Sequence, residues 1–144
     1  MQKASPGIVT DPHSSLSPLY RKTVLPNGIR VVTEQIPYVR SISIGAWVEV
    51  GSRDEDEQNN GISHFLEHMV FKGTKHYSAR NIARSLESYG GYLNAFTSKE
   101  HSCFYARALD AHLEEAVRVI SDLAQYPILD KKELEKEKRL SSRS

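Results

Sequence analysis

Hydrophobic and polar residues alternate with a period of two along residues 41–50, the pattern of a β-strand with one buried face. The apolar members of this pattern are Ile42, Ile44, Ala46, Val48 and Val50. Residues 23–25 and 29–34 flank the sequence Pro26-Asn27-Gly28. They predict a hairpin, because the Asn-Gly pair supplies the positive φ angles of a tight turn.

Four later segments have the 3.6-residue spacing of amphipathic helices, with two strands between the second and the third. The first helix covers residues 62–71, and the second follows Ser78 as N-cap. Residues 92–97 and 102–109 predict the strands. The predicted apolar faces are Ile62, Phe65, Leu66 and Met69 in the first helix, Ile82, Leu86 and Tyr89 in the second, and Leu113, Ala116, Val117, Ile120 and Leu123 in the third.

The last two helices are defined by acidic residues at their starts. Asp110 is the predicted N-cap of the third helix, and Asp130 with Glu133 has the spacing of a capping box that opens the fourth, which runs through residue 138. The element order is strands, two helices, two strands and two helices. This order favours an α+β fold, an antiparallel sheet with helices packed on it, over a parallel sheet with crossover helices.

Composition excludes several classes of protein. The chain has 144 residues, of which 39% are hydrophobic and 26% charged, as in an ordinary globular domain. A net charge of +1 argues against nucleic acid or an anionic membrane as partner. No apolar run approaches the roughly 20 residues that span a bilayer. Cys103 is the single cysteine, which excludes an intramolecular disulfide and a cysteine-based zinc cluster.

Residues 1–19 predict a disordered lead-in to a domain at residues 20–144. They include three prolines and four serines, and they lack the apolar stretch of a secretory signal. They also contain no arginine and include Asp11, unlike a typical mitochondrial leader. By elimination we expect a cytoplasmic protein, with the mitochondrial matrix as the alternative.

The chemistry of the chain is concentrated in an HxxEH motif formed by His64, Glu67 and His68. Residues i and i+4 of a helix share a face, so His64 and His68 can both bind one metal ion. Two histidines and a carboxylate leave the fourth position of tetrahedral Zn²⁺ for water, and zinc lowers the pKa of that water towards about 7. Glu67, beside the ligand face, is placed to act as general base and acid. The alternative interpretation of the motif is a surface helix whose histidines and glutamate form salt bridges.

Several motifs around this one together resemble the pitrilysin-type (M16) zinc peptidases, which include the mitochondrial processing peptidase and its bacterial relatives. The matching segments are LPNG at 25–28, GSRDE at 51–55, GISHFLEHMVFKGT at 61–74, GGYLNAFT at 90–97 and ELEKEK at 133–138. The resemblance implies an antiparallel sheet with helices packed on it, forming one half of a processing-peptidase-like enzyme. It also implies Zn²⁺ as the cofactor and a peptide as the substrate. Asn94 and Ala95 match an edge strand that binds the substrate backbone by β-augmentation.

The resemblance also implies a third zinc ligand, a glutamate about 75 residues after His68. The chain has no glutamate there and ends in Leu140-Ser141-Ser142-Arg143-Ser144. Glu137 matches a second acidic residue near the relatives' metal site and is a candidate to support the site from outside the ligand set. Residues 140–144 can be encoded by a set of codons that, read in a shifted reading frame, encodes Val-Leu-Glu-Glu, as in the relatives. We therefore expect a frameshift, which the gene's nucleotide sequence tests.

These features predict a zinc metalloendopeptidase that cleaves peptides or unfolded segments. The resemblance implies that residues 20–144 are an incomplete, C-terminally truncated N-terminal domain, whose missing partner is a second peptidase-like domain or subunit. We therefore expect little or no activity from the isolated chain. The alternative is a non-catalytic scaffold or core subunit of the same fold, and a third reading is an unrelated zinc-binding module without catalysis.

Overall fold

The computed structural model describes residues 19–141. The chain divides between Val39 and Arg40 into two compact units. Apart from Leu19, the predicted lead-in lies outside the described residues, as do the last three residues, on which the frameshift prediction depends. Within the described part, antiparallel sheets and four helices confirm the predicted α+β fold. None of these helices is long and apolar enough to cross a membrane.

The first unit is the predicted hairpin. Strands β1 (Tyr20–Val24) and β2 (Arg30–Glu34) pair antiparallel, and Gly28 N–H donates to the Leu25 carbonyl at 2.9 Å. Gly28 has φ of 88°, and in the described part of the chain only glycines have a positive φ. The expectation that both Asn27 and Gly28 supply positive φ is therefore wrong. Asn27 instead holds the turn through its side chain, whose Oδ1 accepts from Ile29 N–H at 3.1 Å.

The second unit is a three-stranded antiparallel sheet with helices packed on one face. Its strands are β3 (Ser41–Val48), β4 (Tyr92–Thr97) and β5 (Ser102–Leu109), in the spatial order β3-β5-β4. Its helices are α1 (Ile62–Val70), α2 (Ala79–Glu87), α3 (Leu113–Gln125) and α4 (Lys131–Ser141). Ser78 caps α2 and Asp130 caps α4, as predicted, by accepting from backbone N–H groups.

The core lies between the sheet and helices α2 and α3. One cluster joins Leu86 of α2, Ala106 and Ala108 of β5, and Ala116 and Ile120 of α3. Of the predicted inner face of β3, Ile42, Ile44 and Ala46 pack against this cluster, whereas Val48 and Val50 are exposed. A second cluster contains Val70, Ile82, Val119 and Leu123. These contacts hold the end of α1 against the core, and α1 also contacts the edge strand β4. The fold therefore places the HxxEH helix beside an edge strand of the three-stranded sheet.

The predicted apolar faces of three helices are partly wrong. Tyr89, assigned to the second helix, lies beyond the end of α2 and is exposed. In α1, Ile62 and Leu66 are exposed, whereas Ser63, Met69 and Val70 are buried. In α3, Leu113 and Val117 are exposed, and Val119 and Asp122 are buried in their place. Both helices carry more apolar residues than one face holds, so hydropathy alone does not fix which stripe faces the sheet. Asp122 can be buried because its carboxylate is hydrogen-bonded to Thr74 and His76.

Asp110 does not cap α3. A 3-10 turn at Asp110–His112 precedes the helix, and His112 occupies the N-cap position without a side-chain hydrogen bond. The Asp110 carboxylate instead pairs with Arg40, whose Nε lies 2.8 Å from Oδ2. The N-cap prediction was wrong because this long-range ion pair, invisible to local sequence spacing, uses the carboxylate.

Candidate metal centre

Helix α1 brings the side chains of His64, Glu67 and His68 together. The Nε2 atoms of the two histidines lie 3.2 Å apart, and their ring centroids are separated by 4.7 Å. One ligand atom from each of the three residues lies within 4.8 Å of the others. In residues 19–141 no other cluster of histidine, cysteine and carboxylate side chains has this geometry. The predicted motif is therefore a spatial cluster as well as a sequence pattern.

The distance between the two imidazoles suits one tetrahedral metal ion. Nitrogen ligands bind Zn²⁺ at 2.0–2.1 Å, which places two of them about 3.3 Å apart at the tetrahedral angle. The observed 3.2 Å separation matches this spacing. Both histidines are exposed, which leaves the face opposite the helix open to a substrate.

Glu67 is the more buried member of the cluster. Its side chain is 17% exposed, and its Oε2 lies 3.7 Å from Nδ1 of His64. Within the described part of the chain, this buried Oε2 atom has no hydrogen-bond partner. A buried carboxylate oxygen without a partner is unfavourable, so this environment suits a group that donates a proton to it. Two imidazoles that can bind Zn²⁺, with a carboxylate beside them that can accept a hydrogen bond from a water molecule, therefore fit a zinc site.

The start of α1 is held by a residue whose structural role sequence reasoning missed. Oε2 of Glu55 accepts from Gly61 N–H at 2.6 Å, and Oε1 accepts from Ser63 N–H at 2.9 Å. Hydrogen bonds from Ser63 and Gly61 lower the pKa of the Glu55 carboxyl. In the sequence, Glu55 was only the last residue of the GSRDE segment. Its bonds span six and eight residues within a polar loop, so no short-range capping pattern marks them.

The rest of this segment is fixed to the turn between β4 and β5. Ser52 N–H donates to the Ser98 carbonyl at 3.1 Å, and the Arg53 guanidinium pairs with Glu100. A Cβ atom on Gly51 would lie 2.5 Å from the Ser98 carbonyl oxygen and 2.6 Å from Glu100 N. Only glycine fits this close approach. The segment therefore connects the start of α1 with the strand turn.

Asn94 and Ala95 lie on the edge strand β4, next to α1. Asn94 is exposed and Ala95 is buried. The Asn94 side chain donates to the Tyr92 hydroxyl at 2.9 Å and accepts from Ala95 N–H at 2.8 Å. Hydrogen bonds from Asn94 and from Tyr105 lower the pKa of Tyr92, and the bond to Tyr92 raises the pKa of Tyr105. The Ala95 donor at this edge is thus occupied by the Asn94 side chain.

Glu137 lies on α4 and is not a member of the histidine cluster. Its Oε1 is 3.2 Å from Nζ of Lys72, two residues beyond the end of α1, and both side chains are partly buried. The structure thus places Glu137 in an ion pair at the other end of the segment that carries the motif.

Comparisons with known proteins agree with the motifs. The chain matches the family model described as insulinase (peptidase family M16) over residues 30–143. The uncharacterized zinc protease YmxG of Bacillus subtilis is 53% identical over 114 residues, which are 79% of this chain and 28% of that protein. The mitochondrial-processing peptidase subunit beta of Saccharomyces cerevisiae is 42% identical over 125 residues, which are 87% of this chain and 27% of that subunit.

A solved structure shows the same fold. The crystal structure of a protease from Helicobacter pylori superposes with a TM-score of 0.80 at 27% identity, covering 84% of this chain and 29% of that one. The chain thus spans less than a third of the length of these relatives. The family model covers most of the chain and includes the whole HxxEH segment. The chain therefore belongs to the insulinase family, peptidase family M16.

Proposed function

We propose that the protein containing this chain is a zinc-dependent peptidase, and that His64, Glu67 and His68 belong to its active site. The observation that carries the proposal is the 3.2 Å separation of the two Nε2 atoms with the partnerless Oε2 of Glu67 beside them. The names of the relatives, zinc protease and processing peptidase, support the same assignment. Because the chain spans 28% of YmxG, the activity is proposed for the whole protein.

Each residue of the cluster has a separate task in this proposal. His64 and His68 hold the metal through Nε2, which requires both rings to be neutral. Bound Zn²⁺ would supply the Lewis acidity that polarises a peptide carbonyl and activates water. Glu67 Oε2 accepts the proton of the attacking water and returns it to the leaving amine. Its burial keeps this carboxylate away from bulk water, and its contact with His64 keeps it next to the metal ligands.

The substrate in this proposal is a peptide or unfolded segment that binds in an extended conformation along β4. That strand is an edge strand of its sheet and contacts α1, so an added strand would lie near the histidines. Asn94 would then release Ala95 N–H, and the backbone of the substrate would take its place as acceptor. A second peptidase-like domain or subunit would form the opposite wall of the site. Glu137 would act indirectly, by holding Lys72 and so the end of α1.

The 144-residue polypeptide by itself should have little peptidase activity. Its described residues offer two imidazoles and the Glu67 carboxylate at the cluster, and Glu67 is needed for proton transfer rather than metal binding. Zinc should therefore bind more weakly than in a site with a third protein ligand. Substrate orientation by a second wall would also be missing, and orientation makes a large contribution to catalysis.

A chimera tests the proposal. Residues 30–138 of this chain replace the matching segment of the yeast processing peptidase subunit beta, whose own sequence continues after that point. The chimera is assayed on the processing peptidase's own substrate, with Glu67→Gln as the matched control. We expect processing by the chimera and a loss of about 10²-fold to 10⁴-fold in the Glu67→Gln variant, the usual contribution of general acid–base catalysis. A chimera that assembles and binds zinc but does not process would favour the scaffold alternative. Equal processing by the chimera and its Glu67→Gln variant would contradict the proposed role of Glu67 in proton transfer.

A further inference from the structure

We propose that Glu55 is a positioning residue, whose carboxylate caps α1 and thereby sets the orientation of the metal-binding histidines. The cap itself is independent of the proposed peptidase function, but its consequence for zinc rests on that function. Within residues 19–141, Glu55 forms no hydrogen bond or ion pair with either histidine, and it would act through the helix backbone.

The hydrogen bonding at the start of α1 supports this role. The first N–H groups of a helix lack partners within the helix and are usually satisfied by an N-cap side chain. Here the N-cap is Gly61, which has φ of 85° and no side chain. Glu55 accepts from Gly61 and Ser63, while Ile62 N–H donates to the Asn59 carbonyl at 3.0 Å. One carboxylate from the preceding loop thus replaces the missing cap.

Glu55 also connects the start of α1 to the turn between β4 and β5. Ser63 is buried and immediately precedes His64, so a shift of the Ser63 backbone also moves the first metal ligand. Glu55 follows the segment 51–54, which is bonded to the turn between β4 and β5. The carboxylate therefore fixes the histidine helix relative to the same strands that we propose to bind the substrate.

The shortness of α1 makes its capping more important. Helix α1 has nine residues, and isolated helices shorter than about 12 residues are marginal in water. Its exposed Ile62 and Leu66 add little packing at its start. A negative charge at the N-terminus also interacts favourably with the helix dipole. The start of α1 therefore depends on Glu55 more than a well-packed helix would.

The test uses the full 144-residue chain with Glu55→Ala and Glu55→Gln. Glu57→Ala is the matched control, because Glu57 is an exposed glutamate in the same loop. Amide hydrogen exchange without metal is followed at Gly61 and Ser63, with Ala106 in the core as the probe of global unfolding. Zn²⁺ affinity and the visible spectrum of bound Co²⁺ are then measured, because a simple loss of global stability would not alter the coordination spectrum.

We expect Gly61 and Ser63 to exchange about 10-fold faster in Glu55→Ala, with Ala106 changed less, since local opening differs from global unfolding. The Glu55→Gln variant keeps an acceptor oxygen and should be intermediate, and Glu57→Ala should match the unchanged chain. Zn²⁺ affinity should fall about 10-fold in Glu55→Ala, which is the lower end of the range for residues that support metal ligands. The spectrum of bound Co²⁺ should also change in this variant.

Three results would overturn parts of this proposal in distinguishable ways. Unchanged exchange at Gly61 and Ser63 in Glu55→Ala would show that Glu55 is not the cap. Faster exchange with unchanged Zn²⁺ affinity and Co²⁺ spectrum would show a cap without a positioning role. Absence of Zn²⁺ binding by the unchanged chain would overturn the proposed function and the positioning role together, while the exchange rates would still decide the cap.

Discussion

Lys72 Nζ and Glu137 Oε1 lie 3.2 Å apart, in an ion pair that joins the segment following α1 to helix α4. The Lys72 side chain is 33% exposed and that of Glu137 is 14% exposed. Partial burial makes such a pair more sensitive to the loss of one partner than a surface pair, because the other charge is left poorly solvated. With Glu55 at the opposite end, this pair gives α1 an electrostatic anchor at each end.

Glu137→Gln and Lys72→Met should each lower the free energy of unfolding by about 1 kcal/mol. The double variant should lose less than the sum of the two, because the two residues share one interaction. Zn²⁺ affinity should fall only about 3-fold in either variant, since Glu137 acts through Lys72 rather than on the metal. Urea unfolding and zinc titration of the three variants measure these effects. Additive losses would show that the two side chains do not interact.

Asp122→Asn should destabilise the chain by about 1–3 kcal/mol at pH 7, the usual cost of breaking hydrogen bonds to a buried charged group. The carboxylate of Asp122 is buried and hydrogen-bonded to the Thr74 hydroxyl and to His76. Burial would raise the pKa of Asp122, but the bonds from Thr74 and His76 outweigh it and lower the pKa below its usual value. The matched control is Glu57→Gln, which removes an exposed carboxylate.

The lowered pKa of Asp122 also predicts a pH dependence. The fold favours the ionised carboxylate of Asp122. Its contribution to the free energy of unfolding is therefore complete above the ordinary aspartate pKa of about 4, and it is lost as the pH falls through the lower pKa of the folded state. Urea unfolding of the unchanged chain and of Asp122→Asn should therefore converge as the pH is lowered below about 4. A stability difference that stays constant down to about pH 2 would contradict this account.

Gly51→Ala should destabilise the chain by about 1–3 kcal/mol, the usual cost of overpacking. The added methyl group would lie 2.5 Å from the Ser98 carbonyl oxygen and 2.6 Å from Glu100 N, and both contacts are to backbone atoms that cannot rotate away. Ser52→Ala is the control at the neighbouring exposed position. Thermal unfolding compares the two. Equal melting temperatures for both variants would show that the loop is not held against the strand turn.

The sequence predicted the strands of the second unit closely, for identifiable reasons. Strands β4 and β5 have the predicted bounds, because Gly90-Gly91 and the polar turn after Thr97 separate them from their neighbours. Strand β3 ends at Val48 rather than Val50, but Ile42, Ile44 and Ala46 face the core as its alternation predicted. Local signals suffice where glycine and alternation act within a few residues.

The helix faces and supporting contacts of the site were less predictable. Hydropathy placed Val117 in the core and gave no reason to place Asp122 there. Asp122 is nevertheless buried, because its carboxylate is hydrogen-bonded to Thr74 and His76, which lie far away in the sequence. The HxxEH spacing places the three side chains together, as the i, i+3 and i+4 positions of a helix do. It gave no sign of Glu55, because the bonds from that carboxylate cross an irregular loop.

Zinc titration by calorimetry is the most direct test of the central claim, that His64 and His68 bind the metal. The unchanged chain should bind about one Zn²⁺. His64→Ala or His68→Ala should weaken binding by about 100-fold or more, because loss of a ligand should cost at least as much as the loss of a residue that only supports a ligand. Glu67→Gln should stay within about 3-fold, because Glu67 serves proton transfer. His112→Ala, which removes an imidazole outside the cluster, should have no effect. Failure of the unchanged chain to bind Zn²⁺, or binding that survives loss of both cluster histidines, would contradict the account.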